Sequence, residues 1–146
     1  MKILKECKLK SPEDSLKFFK ENLKELGKVN YVVLYYAEKE WAINPDLYHQ
    51  YVIIIGDYTQ LWLSGLTWGY YGAGPSGLFE LLEIIDPSIT YEQIVELEWL
   101  AEYPIMLENL EGKLVVNPFN EVVHSHLCGE GNRLPWKIKK SSSFNF

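Results

Sequence analysis

Cysteine is scarce. Only Cys7 and Cys128 occur, neither in a CxxC pair, so neither a disulfide framework nor a zinc knuckle organises this chain, and reduced thiols are expected. Arginine is scarcer still, with Arg133 alone. Residues 40–112 carry no lysine or arginine against twelve acids, whereas residues 1–39 hold nine lysines against six acids and residues 113–146 five bases against two. The blocks therefore sum to +3, -12 and +3, which recovers the net charge of -6. Duplex nucleic acid is not expected as a ligand, because phosphate contacts need a basic footprint and the middle of the chain offers none. A basic protein partner or a neutral small ligand suits that stretch better, and so does a solvated acidic face that keeps the protein dispersed.

Long apolar runs are missing too. Tyr51 to Gly56 and Leu61 to Leu66 fall far short of the roughly 20 residues a membrane helix needs, so no membrane partner is expected. The start MKILKECKLK leads into SPEDSLKFFK, with no apolar segment or small-residue cleavage site, and a cytoplasmic location is the expectation. No internal repeat and no linker rich in Pro, Gly and Ser is visible. The 146 residues are read as a single α+β domain over 1–146, with 1–10 and 140–146 as ends that can lie loose.

What is present suffices for a core, since hydrophobic residues make up 47% of the chain and aromatics 14%. Ser11-Pro12-Glu13-Asp14 combines an N-cap, a proline at the first helical position and acids at the positive end of the dipole. Leu16, Phe19, Leu23 and Leu26 follow at helical spacing and Gly27 supplies a stop, which predicts a helix over 12–26. Val29 to Ala37 and Gln50 to Gly56 are β-branched and aromatic, and Asp57 to Gln60 reads as a turn before Leu61-Trp62-Leu63. A short helix is expected from Leu78 to Asp86, before Pro87, and a capping box at Thr90 to Gln93 opens another to about Ala101. Glu111-Gly112 reads as a hairpin turn, with further strand at Glu121 to Leu127 and Pro135 to Ile138. Strands, a helix pair and more strands indicate a mostly antiparallel sheet with about three helices, not a doubly wound parallel one.

The densest information lies in Trp62 to Leu78, where five of the ten glycines and two tryptophans occupy 17 positions. Gly69, Gly72, Gly74 and Gly77 permit positive φ or close approach, and the segment feeds a helix N-terminus whose N–H groups can meet an anion. It is neither a Walker loop nor a dinucleotide fingerprint, because no Gly-Lys-Ser/Thr follows and no basic side chain lies in it. Two readings stay open. The glycines can serve a tight strand-to-helix turn packed under Trp62, Trp68, Tyr70 and Tyr71, or these flat rings can stack on a base while nearby N–H groups take a phosphate or ribose. On the second reading the ligand-binding set is Trp62, Trp68, Gly69, Tyr70, Tyr71, Gly72, Gly74, Ser76 and Gly77.

The run Trp68-Gly69-Tyr70-Tyr71-Gly72-Ala73-Gly74-Pro75-Ser76-Gly77-Leu78 resembles the W-G-Y-G-G-x-G-P-x-x-L signature of a domain family from bacteria, phages and plasmids that has no assigned activity. The likeness covers about 50 residues, from Trp62 to near Glu108, and departs from the pattern at Tyr71, where the family has glycine. It implies a mobile-element context, in which small acidic proteins counter host defences by capturing a nucleotide signal or blocking a protein.

His124, His126 and Cys128 alternate, so a strand would present all three on one face. Neighbours there stand about 7 Å apart, too far to favour one zinc ion, and no metal or other cofactor is expected. The two histidines could instead act as general acid and base in phosphodiester cleavage. Arg133, behind the turn Gly129-Glu130-Gly131-Asn132, offers a bidentate donor for phosphate or carboxylate and, with His124 and His126, completes the candidate ligand-binding residues. The leading expectation is a non-enzymatic protein that sequesters a nucleotide-derived small molecule, as a homo-oligomer. The alternatives are an acidic inhibitor or immunity protein that binds a basic partner, and a small phosphodiesterase using His124 and His126.

Overall fold

The computed structural model describes residues 2–6, 9–38, 48–97 and 104–117. Within them six strands and four helices follow one another as β1 (Lys2–Lys5), α1 (Pro12–Glu21), α2 (Leu23–Leu26), β2 (Val29–Glu38), β3 (Tyr48–Gly56), β4 (Thr59–Leu63), α3 (Ala73–Ile85), α4 (Tyr91–Val95), β5 (Ile105–Leu110) and β6 (Lys113–Asn117). The strands form one sheet in the order β1-β4-β3-β2-β5-β6, antiparallel except for the parallel pair β1 and β4. This is the α+β architecture anticipated from the sequence.

The local chemistry accounts for most boundaries. The Ser11 side chain accepts the Asp14 N–H at 3.1 Å and opens α1. The single helix expected over 12–26 divides at Asn22, whose φ of -111° and ψ of 16° leave the helical region while its side-chain amide donates to the Phe18 carbonyl at 2.8 Å. Gly27, at φ 69°, then turns the chain into β2. Thr90 and Gln93 make the reciprocal capping box. The helix they open ends at Val95 and not near Ala101, because Leu97 already bonds back three residues to the Ile94 carbonyl, tightening the last turn. Glu111 and Gly112, at φ 53° and 88°, form the two-residue hairpin turn between β5 and β6.

Two further expectations change. Lys2–Lys5, read as part of a loose end, is an edge strand in register with Thr59–Trp62 of β4. And α3 begins at Ala73, five residues before Leu78, so half of the glycine-rich run is helix. Pro75 is accommodated in the first turn because its missing N–H has no intrahelical acceptor there. The strands predicted at 121–127 and 135–138 lie outside the described residues.

The central strands are buried on both faces. Val32, Leu34, Val52, Ile54, Leu61, Leu63, Ile105 and Leu107 face the helices and pack with Phe19, Leu26, Leu78, Leu81, Leu82 and Ile94. Val33, Tyr51, Ile53, Ile55, Trp62 and Met106 form a second cluster, against which Ile3, Leu9 and Tyr31 pack. Continuous apolar runs such as Val32-Val33-Leu34 and Val52 to Ile55 are what strands covered on both sides require. Among the described residues no helix is long and apolar enough to cross a membrane.

Candidate functional site

β4 delivers the chain into the glycine-rich segment, and the structure separates its residues sharply. Trp68 is fully buried in the cluster between sheet and helices. Its backbone is clamped by Gln50, whose Oε1 accepts the Trp68 N–H at 3.2 Å and whose Nε2 donates to the Trp68 carbonyl at 3.1 Å. Trp62 lies in the cluster on the opposite face of the sheet. Its indole N–H donates to Gln60 Oε1 at 3.0 Å, and the Lys5 ammonium stands 5.5 Å from its ring centroid. The two tryptophans thus occupy separate cores and share no pocket.

The glycines divide in the same way. A Cβ at Gly74 would collide with the Thr67 hydroxyl, and one at Gly77 would press on Leu66 and Pro12, so both serve close helix packing. Gly69 adopts φ 89° and sends its N–H to the Ile94 carbonyl at 3.0 Å, fastening the loop to α4. Gly72 is the N-cap of α3, and its N–H is taken by the Tyr91 hydroxyl at 3.1 Å. Ser76 is exposed and, with Gly77, Ser11, Glu13 and Glu80, lines a groove of about 540 Å³ between α1 and α3. The carboxylates of Glu13 and Glu80 on that groove oppose a phosphate.

What the segment does present outward is aromatic. Tyr71 is 68% exposed and Tyr70 44%. The Tyr70 hydroxyl and Thr67 Oγ1 are 2.7 Å apart, and the Tyr71 hydroxyl donates to Glu92 at 2.9 Å. Tyr91 stands edge-on to Tyr71, centroids 5.9 Å apart, and to Phe79 at 6.0 Å, so three rings run from the loop across α4 to α3. The hydrogen bond and the negative charge of Glu92 hold the Tyr71 phenol above its usual range, and Glu96 adds to this. The structure brings together Tyr70, Tyr71 and Gly72 of the expected set with Tyr91, Glu92 and Phe79, and sets Trp62, Trp68, Gly74 and Gly77 apart. Arg133, His124 and His126 lie outside the described residues.

Sequence reasoning also passed over a buried polar junction beneath the loop. Glu6, which follows β1, is 4% exposed, and its Oε1 accepts the Ser15 hydroxyl at 2.6 Å and the Ser64 N–H at 2.8 Å. Ser15 Oγ in turn accepts the Gly65 N–H at 2.9 Å, Ser64 Oγ accepts the Lys10 N–H at 3.0 Å, and His49 Nε2 donates to the Ser64 carbonyl at 2.6 Å. Burial raises the Glu6 carboxyl above its usual range, with the bonds from Ser15 and Ser64 partly offsetting it. The only local signal for this junction was Ser64-Gly65 at the end of a strand. Among the described residues no group of His, Cys, Asp and Glu is arranged to hold a metal ion.

Against known proteins, no family model, no curated protein and no solved structure matches this chain.

Proposed function

We propose that this protein acts by binding, as an acidic recognition protein that offers the outer surface of α3 and α4 to a positively charged protein partner. The observation that carries this reading is that Glu80 and Glu83 on α3, Glu92 on α4 and Glu96 at the C-cap of α4 are all exposed, on helices that carry no basic residue. Glu92 accepts the Tyr71 hydroxyl and Glu96 borders a groove with Lys113, but none of the four carboxylates stands in an ion pair among the described residues, so they repel one another mildly, whereas a cationic partner relieves the repulsion and is steered in by the field.

The test is the salt dependence of the native complex. Native mass spectrometry of protein purified from its host identifies what travels with it, and the affinity of any protein so found is measured across ionic strength. Binding that weakens steeply with salt, and more shallowly for a Glu80→Gln/Glu83→Gln/Glu92→Gln/Glu96→Gln variant, supports the reading. Salt-insensitive binding rejects it.

A second reading, capture of a nucleotide-derived signal in a phage or mobile-element setting by an oligomer of this chain, draws on one observation. The first turn of α3 carries no acidic residue and no capping side chain, beside the partly exposed Tyr70 ring. An intact nucleotide released on denaturation would put this reading first. A cleaved product would favour the phosphodiesterase built on His124 and His126.

A further inference from the structure

We infer that the shelf formed by Tyr71, Tyr91, Glu92 and Glu96 is a receptor site for a single arginine side chain of the partner. This rests on the reading of a positively charged partner and says where on the surface its deciding residue lands. Tyr71 supplies the face. Its ring is 68% exposed, yet it does not swing freely, because its hydroxyl is tied to Glu92 at 2.9 Å and its ring meets that of Tyr91 in a T-shaped pair with centroids 5.9 Å apart. Tyr91 is itself pinned by its hydroxyl at the Gly72 N–H and by Phe79 behind it. An exposed aromatic that is already ordered costs little further entropy when a ligand stacks on it.

The carboxylates supply the charge. Tyr71 engages one oxygen of Glu92, Oε2, and Glu96 sits one turn further along, near enough for its field to act on the Tyr71 phenol. A guanidinium stacked on Tyr71 lies parallel to the ring and above it, and keeps its N–H groups free at its own edge to donate to a neighbouring carboxylate such as Glu92. An ammonium is a compact, strongly hydrated point charge and cannot stack and donate in this way. A nucleobase could stack equally well, but its phosphates would meet the same two carboxylates. Residues 40–112 contain no lysine or arginine, and Lys113 of β6 borders a groove with Glu96, so Tyr71 and Glu92 are the core of the shelf.

The experiment uses the full chain with three short uncharged-flank peptides carrying two arginines, two lysines or two glutamates, and adenosine monophosphate as a fourth probe, followed by aromatic-region NMR at low salt. The arginine peptide is expected to shift the Tyr71 and Tyr91 ring signals and to bind several-fold more tightly than the lysine peptide. Tyr71→Ala and Glu92→Gln should each weaken it by about threefold, the scale of an exposed cation–π contact, while Tyr58→Ala, another exposed tyrosine, leaves it unchanged. Equal binding of the lysine and arginine peptides, or arginine binding indifferent to Tyr71→Ala and Glu92→Gln, overturns the shelf as the receptor while leaving the acidic surface as a partner site. Absence of binding by either cationic peptide at low salt overturns both. Preferential binding of adenosine monophosphate overturns the arginine assignment in favour of a nucleotide.

Discussion

Glu6 is a carboxylate whose surroundings make its protonated form the easier one to bury. Desolvation outweighs the hydrogen bonds from Ser15 and Ser64, so the folded protein holds this proton more tightly than the unfolded chain does. The resulting stability is fully present below the ordinary value of 4.5 and is lost as pH rises through the native value. Glutamine at this position still accepts both bonds but carries no charge. Urea midpoints of Glu6→Gln and the parent should therefore diverge in the variant's favour as pH rises above the ordinary value of 4.5, and parallel profiles would contradict the assignment. Nothing in the sequence around Glu6 distinguishes it from the other acids of the first 39 residues. Its role follows from Ser15, nine positions away, and Ser64, 58 positions away, converging on it.

At the scale of elements, the helix starts at Ser11 and Thr90 and the hairpin at Glu111-Gly112 were legible because capping and positive φ are local chemistry. The start of α3 was not. Glycine and proline have low helix propensity, and only the fit of Gly74 against Thr67 and of Gly77 against Leu66 and Pro12 turns that stretch into a first helical turn. Gly74→Ala should accordingly cost about 1–3 kcal/mol by overpacking. Trp68→Ala, which empties a fully buried site, should cost about 3–5 kcal/mol. Tyr71→Ala, at an exposed position, should stay within about 0.5 kcal/mol of the parent. Urea denaturation orders the three, and a Trp68→Ala protein as stable as Tyr71→Ala would contradict the division of the segment into packing and presenting halves.

For the whole molecule, the acid limb of stability runs opposite to Glu6. Asp57 is held below its usual range by the Asn30 amide and the Lys28 N–H, and Asp86 by the Ser88 hydroxyl and the Leu114 N–H that ties the end of α3 to β6. Such groups contribute stability above the ordinary value of 3.8 that is lost as pH falls through their lowered native values. Acid unfolding followed by circular dichroism should therefore steepen below about pH 3.8, and Asp86→Asn should flatten that limb. An unchanged limb would remove Asp86 from the account. The sequence by itself determined the α+β class, the buried strands and the acidic middle, because β-branched runs, caps and charge blocks act through near neighbours and simple counting. Only the tertiary structure decided which aromatics of one glycine-rich segment face water. Trp68 and Tyr71 stand three positions apart with similar local preferences, and what buries one and displays the other is the distant grip of Gln50, Ile94, Tyr91 and Glu92.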